Sequence, residues 1–333
     1  MRRGLAAAIA VATSAALALA LGGCSGGAGA GSAGSPSASP RLAPFAIDQD
    51  FADPGAIVVG DTVYAYATNA PGRNVQVATS TDLRSWTVSA VDALPELPAW
   101  AVPGKTWAPG PAALPDGRYA LYITATDASS GKQCIGAVVG EKPSGPFASG
   151  ATVPLVCPTD LGGAIDASSF VDRDGSRYLI WKNDGNCCGQ DTWLWAQPLS
   201  ADGLSIAGPA TQLVKQTLPW EGHLVEAPVV ARHDGGYALL YSANDYGTDR
   251  YAVGVATAPA LTGPYTKQKE PLLSTKSSGG RYLGPGGEEL ITVGGKDWML
   301  FHSWDESYAY RGLHAVPVTW RAGVPVPRIG AGR

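Results

Sequence analysis

The sequence predicts an all-β domain folded as a five-bladed β-propeller, and three observations carry that prediction. The layout of the stretch 225–243, VEAPVVARHDGGYALLYSA, returns as DPGAIVVGDTVYAYAT from Asp53, APGPAALPDGRYALYITA from Ala108, IDASSFVDRDGSRYLIWK from Ile165 and GGEELITVGGKDWMLFHSW from Gly286. The turn markers Asp61, Asp116, Asp174, Asp234 and Gly295 lie 55 to 61 residues apart, a period that suits blades of four short strands. Each copy is an apolar run, a Gly-Asp, Asp-Gly or Gly-Gly turn, and then a run alternating at period two, which is the pattern of a tight hairpin.

Taken in order, the chain opens with Arg2 and Arg3, an Ala/Leu/Val-rich run, and Leu21-Gly22-Gly23-Cys24. A positive start followed by a short apolar run reads as an export signal over residues 1–23, too short for a stable membrane span. Its ending resembles a bacterial lipobox, which implies cleavage before Cys24, lipidation of that cysteine and anchoring at the cell membrane; an ordinary secretory signal is the alternative. In the segment 24–44 the residues after Cys24 are nearly all Gly, Ala, Ser and Pro with almost no charge, a composition that cannot bury enough apolar surface to fold. As a flexible tether they would hold a domain roughly 25 Å from the membrane.

The propeller is assigned to residues 45–333. In each copy the two hairpin strands are followed by a third-strand candidate: VQVATSTDLRSWT, CIGAVVGEKPSGPF, WLWAQPLSADGLSI, YAVGVATAPALTGPY and RGLHAVPVTWRAGVPV. A net charge of -4 with 16% charged residues offers no basic patch for nucleic acid, and the chain is expected to be a monomer. Ten tryptophans and thirteen tyrosines suit blade packing or a sugar-binding cleft.

After Cys24 four cysteines remain, Cys134, Cys157, Cys187 and Cys188. In an exported chain an even count reads as disulfides, with three connectivities open. Cys134 falls on the third strand of blade 2 and Cys157 just beyond its outer edge, which favours that pairing and leaves Cys187 and Cys188 as a vicinal pair. A metal site is the alternative, but no histidine stands beside them.

Eight residues before the markers stand Asp53, Ala108, Asp166, Glu226 and Gly287. Three of the five are acidic in a chain with 28 Asp and Glu among 333 residues. Equivalent positions on the innermost strands of a propeller gather at one mouth of its channel, so the three carboxylates should converge from blades 1, 3 and 4. Carboxylates across a cleft are the equipment of glycoside hydrolysis, one protonating the leaving oxygen and one activating water or attacking carbon. A third acid nearby can hold the donor and raise its pKa by like-charge repulsion.

The runs Phe51-Ala52-Asp53-Pro54, Trp107-Ala108-Pro109, Ile165-Asp166-Ala167-Ser168 and Val225-Glu226-Ala227-Pro228, in that order, resemble glycoside hydrolase family 43. Ser80-Thr81-Asp82-Leu83, Ser144-Gly145-Pro146-Phe147, Gly263-Pro264-Tyr265 and His302-Ser303-Trp304 agree with it. The resemblance implies a five-bladed propeller that hydrolyses arabinose- or xylose-containing polysaccharide with inversion. It implies Asp53 as general base, Asp166 as the acid that tunes and orients its partner, and Glu226 as general acid. Two positions depart from the family: Ala227 stands where Gly is commoner, and Gly287 follows Gly284-Pro285-Gly286 where many members have a His associated with a central cation. No cofactor or metal is therefore expected, with a channel calcium left open.

Trp107 is the first candidate for a sugar-stacking platform, followed by Phe51, Trp220 and Trp304. Asn183, with Asp184 beside it, could reach sugar hydroxyls, Arg311 matches the region of a substrate-binding Arg, and His302 could face the channel. A glycan-binding lipoprotein without activity, and a retaining fructan hydrolase of related fold, are the competing functions; the Ala52-Asp53-Pro54-Gly55 entry and Ala227 argue against the latter.

Overall fold

The computed structural model describes residues 41–330. Five antiparallel sheets follow one another along the chain as the blades of a propeller. Blade 1 is β1 (Gly55–Val59), β2 (Thr62–Ala67), β3 (Gln76–Ser80) and β4 (Thr87–Val88). Blade 2 is β5 (Ala101–Ala113), β6 (Tyr119–Asp127) and β7 (Gln133–Gly140). Blade 3 is β8 (Ala164–Val171), β9 (Arg177–Asn183), β10 (Trp193–Leu199) and β11 (Thr211–Lys215). Blade 4 is β12 (Val225–His233), β13 (Gly236–Ala243), β14 (Ala252–Ala258), β15 (Thr266–Lys267) and β16 (Leu273–Ser274). Blade 5 is β17 (Leu283–Val293), β18 (Lys296–Trp304), β19 (Arg311–Arg321) and β20 (Val324–Pro327).

The first strand of each blade touches the first strand of the next, β1 to β5, β8, β12, β17 and back to β1, so the ring is closed. All five third-strand candidates are strands, because each carries the small and aliphatic residues that a strand buried on both faces needs. The core is divided into wedges between neighbouring blades rather than gathered at one centre. Tyr66, Val77, Leu121, Ile123 and Val138 fill the gap between blades 1 and 2. Ile180, Leu194, Val225, Leu239 and Tyr241 fill that between blades 3 and 4.

The ring is fastened by the chain's approach to β1. Ala46 N–H donates to Leu313 O at 2.7 Å, Leu313 N–H to Ile47 O at 3.1 Å and Phe51 N–H to Arg311 O at 2.9 Å, laying residues 46–51 along β19. The fold begins slightly earlier than residue 45, since Ala43 is buried in the wedge between blades 4 and 5. The signal segment, Cys24 and most of the tether lie outside the described residues.

Blade 2 has three strands, and its outer edge is completed by the isolated bridges Val139 to Ala148 and Ile135 to Val156. Cys134 and Cys157 are disulfide-bonded across that edge, and Cys187 is bonded to Cys188.

One backbone feature repeats around the ring. Asp53, Ala108, Asp166, Ala227 and Gly287 have φ of 54°, 41°, 55°, 49° and 59°. A left-handed residue breaks the pleat at the entry to each innermost strand and, in four of the blades, costs about 1–2 kcal/mol because a Cβ is present.

Candidate active site

Four of the left-handed residues, Asp53, Ala108, Asp166 and Ala227, line a cavity of about 470 Å³ at one mouth of the ring. Asp53, Asp166 and Glu226 all line it, with Trp107 and Arg311 from the sequence-derived set. Glu226 does not occupy the same register position as the two aspartates. Its pairing partner is Ser242 on β13, as Trp107 pairs with Thr124 and Ile165 with Lys182. The residue equivalent to Asp53 and Asp166 is therefore Ala227. The blade-4 turn is Asp234-Gly235, both with positive φ, so Gly235 rather than Asp234 matches the marker Gly295. Glu226 still reaches the cavity because residues at its own register position, Trp107 and Ile165, form the cavity wall.

Asp53 is held on every side. Its Oδ2 accepts from Thr68 Oγ1 at 2.7 Å and its Oδ1 from Arg311 Nη1 at 3.3 Å. Thr68 Oγ1 also accepts from the Ala108 N–H at 3.1 Å, tying blade 1 to blade 2. Asp53 N–H donates to His302 Nδ1 at 3.0 Å. Burial pushes the Asp53 pKa up, but the Arg311 charge, His302 and the Thr68 hydrogen bond together hold it below the ordinary value. Asp53 is thus ionised at neutral pH. His302 is pushed down to about 3, chiefly by burial and then by Arg311, so it is neutral and its Nδ1 can act as an acceptor.

Asp166 and Glu226 form a second cluster with Lys182, which lies fully buried under the cavity floor. Lys182 Nζ is 3.0 Å from Glu226 Oε2 and 3.9 Å from Asp184 Oδ1. Tyr251 Oη donates to Glu226 Oε1 at 2.8 Å, and the Ala227 N–H donates to Asp166 Oδ2 at 3.0 Å. Burial, then the neighbouring Glu226 charge, pushes the Asp166 pKa up to about 7, against the pull of Lys182. Asp166 thereby retains a proton into the neutral range beside Glu226.

The other sequence candidates divide. Trp107 and Arg311 face the cavity, and Asp184 lines it in place of its neighbour Asn183. Asn183 is spent on structure: its Nδ2 donates to Leu161 O and Asp191 O, and its Oδ1 accepts from Trp193 N–H and Trp195 Nε1. Phe51 is fully buried in the wedge between blades 5 and 1. Trp220 packs in a wedge and stacks on Tyr241 with centroids 6.0 Å apart. Trp304 donates Nε1 to Tyr246 O at 2.7 Å and lies under the Arg311 guanidinium, 5.7 Å from ring centroid to Cζ, so it supports Arg311 rather than the cavity wall. His302 is fully buried and acts on Asp53 from behind. Thr68, Lys182 and Tyr251 are site residues that sequence reasoning missed. Thr68 directly follows β2, Lys182 stands on β9 and Tyr251 directly precedes β14, positions where each type is ordinary for a blade.

Below the cavity the ring axis narrows to a void of about 40 Å³ bordered by Gly287, Glu288 and Glu289. Glu288 Oε2 accepts from Ser242 Oγ at 2.6 Å, while Glu288 Oε1 and His302 Nε2 are buried without a partner among the described residues. Burial pushes Glu288 up to about 8. One unpaired carboxylate oxygen does not build the shell of six to eight oxygens that calcium takes, so these side chains do not fit a protein-built calcium cage.

A closed ring of five sheets with two aspartates and a glutamate around one cavity is the architecture of a glycosidase. The chain belongs to glycosyl hydrolases family 43, whose model matches residues 44–325. It is 26% identical over 266 residues to a β-D-galactofuranosidase of Aspergillus niger, covering 76% of this chain and 73% of that protein. It is 25% identical over 255 residues to an extracellular endo-α-(1→5)-L-arabinanase of Bacillus subtilis, covering 72% and 76%. Among solved structures it resembles an endo-1,4-β-xylanase of Bacteroides thetaiotaomicron, with TM-score 0.74, 26% identity, and coverage of 85% and 96%. The chain is accordingly a glycoside hydrolase.

Proposed function

We propose that the protein is an inverting hydrolase of arabinose- or xylose-containing polysaccharide, exported and anchored at the cell membrane through Cys24. The observation that carries the reading is the convergence of Asp53, Asp166 and Glu226 on one cavity. Asp53, ionised and held by Thr68 and Arg311, takes a proton from a water that attacks the anomeric carbon. Glu226 delivers a proton to the leaving oxygen on the opposite face. Asp166 sits fixed by the Ala227 amide beside Glu226 and keeps the proton supply of the pair in the neutral range.

Trp107 offers a flat apolar face for a pentose, and Arg311 a cation for its hydroxyls. The reaction needs water and these side chains, with no cofactor, and a monomer contains the whole site. The names of the arabinanases and of the xylanase support the sugar class, and those of the arabinanases support export.

Replacing Glu226 with Gln should lower release of arabinose or xylose from branched and linear polysaccharide by at least about a thousandfold while thermal melting stays within a few degrees. Product anomer, followed by NMR on the wild type, should show inversion. Turnover unaffected by the substitution, or retention, would overturn the assignment.

A further inference from the structure

Cys187 and Cys188 sit at the cavity lip in the 3₁₀ turn Gly185–Cys188, are exposed, and are joined to each other. A disulfide stabilises a fold mainly by closing a loop in the unfolded chain. One between sequence neighbours closes no loop beyond the peptide bond it spans, so it adds almost nothing to global stability. What it does is fix the shape of the turn and present sulfur as a rigid, apolar surface. That turn borders the cavity, since Cys187 lines it together with Asn186 and Asp184.

The position of the turn relative to the acid gives it a role. Asp184 and Glu226 share Lys182, at 3.9 and 3.0 Å, whereas Asp53 is held from blades 1 and 5 by Thr68 and Arg311. The Cys187 N–H donates to Asp184 O at 3.2 Å, so the turn is built directly on the residue beside the acid. On the side of the general acid lies the departing part of a glycoside. Lys132, in the turn between β6 and β7, brings Nζ to 3.0 Å from Cys188 Sγ and braces the lip from blade 2.

We propose that Asp184, Asn186 and the Cys187–Cys188 disulfide form the leaving-group subsite, which takes a second sugar residue: Asp184 and Asn186 meet its hydroxyls and the disulfide its apolar face. This rests on Glu226 being the acid.

The test compares two substrates on the wild type and on the double variant Cys187→Ala/Cys188→Ala. One is the pentosyl fluoride of the sugar that the wild type releases, whose small leaving group leaves the subsite empty. The other is the matching pentose oligosaccharide. The ratio of kcat/KM for oligosaccharide over glycosyl fluoride should fall about tenfold in the variant, with most of the loss in KM. The single variant Asn186→Ala, at an exposed position, should lower the same ratio and keeps the test open should the double variant fold poorly. A ratio unchanged in both variants, or equal losses on both substrates, overturns the subsite. Failure of the glycosidase reading itself would show differently, as a wild type inactive on both substrates or an active Glu226→Gln.

Discussion

Lys182 is the residue on which the electrostatics of the acid cluster turn, and replacing it with Met removes the charge while keeping most of the volume. At 3.0 Å from Glu226 the ammonium is worth about 5 kcal/mol of gross attraction at an effective dielectric of about 20, before its own desolvation is subtracted. Leaving the carboxylates ionised without it would cost about 3–5 kcal/mol. They avoid about half of that by holding a proton more tightly, at about 1.4 kcal/mol per pH unit. The sign follows directly: losing a neighbouring cation disfavours the charged form of Asp166, so its proton leaves at higher pH. The alkaline limb of kcat/KM, set in the wild type near the Asp166 value of about 7, should move up by about one to two pH units. The acid limb belongs to Asp53, which loses its base function only as pH falls below the ordinary aspartate value of 3.8, and it should not move. Stability carries the same sign. A carboxyl whose folded pKa is raised contributes fully below its unfolded value and loses that contribution as pH rises through the folded one. For Asp166 that window runs from 3.8 to about 7 in the wild type, and it should extend upward in the variant. The assay is kcat/KM between about pH 3 and about 9 on a nitrophenyl pentoside, with melting curves alongside. An alkaline limb that stays in place or moves down would refute the reasoning.

Gly287→Ala should lower kcat about tenfold or more with little change in KM, because the new Cβ would lie 2.7 Å from His302 Nδ1 and 3.2 Å from Asp53 Cα and displace the base; overpacking of this kind costs about 1–3 kcal/mol. Steady-state kinetics with unaltered kcat would count against the role given to His302. Removing the Cys134–Cys157 bridge by paired alanines opens a loop of 23 residues and should cost about 3 kcal/mol, roughly 5–10 °C in melting temperature, with pH profile unchanged. A melting temperature within a degree of the wild type would mean that the outer edge of blade 2 holds without it.

The five blades were legible because a strand repeat writes itself twice, in the alternation of its side chains and in the Gly and Asp of its turns. The site was legible to the extent that charge is rare on buried strands, which is why Asp53, Asp166 and Glu226 stood out. What the repeat could not convey is the one-residue offset in blade 4. A turn of Asp234-Gly235 and one of Gly60-Asp61 have the same chemistry in opposite order, and the choice of marker moves the register by one. In a regular strand that offset would turn Glu226 to the other face. It does not, because the left-handed residue after it breaks the alternation, leaving both positions at the entry of an innermost strand in view of the cavity.

The same backbone feature explains which aromatic candidates failed. Trp107 precedes a left-handed residue, Ala108, and is thereby aimed into the mouth, whereas Phe51 stands two residues before Asp53, where the chain still lies along β19, and Trp220 belongs to a short 3₁₀ turn packed into a wedge. Aromatic type carries no such information, since blade packing uses the same side chains. Lys182 and Tyr251 were hidden for a related reason: a lysine on a strand reads as solvent-facing and a tyrosine as core. Their meaning arises when β9 and β14 are brought beside the entry of β12, where Lys182 and Tyr251 become the two donors on one carboxylate.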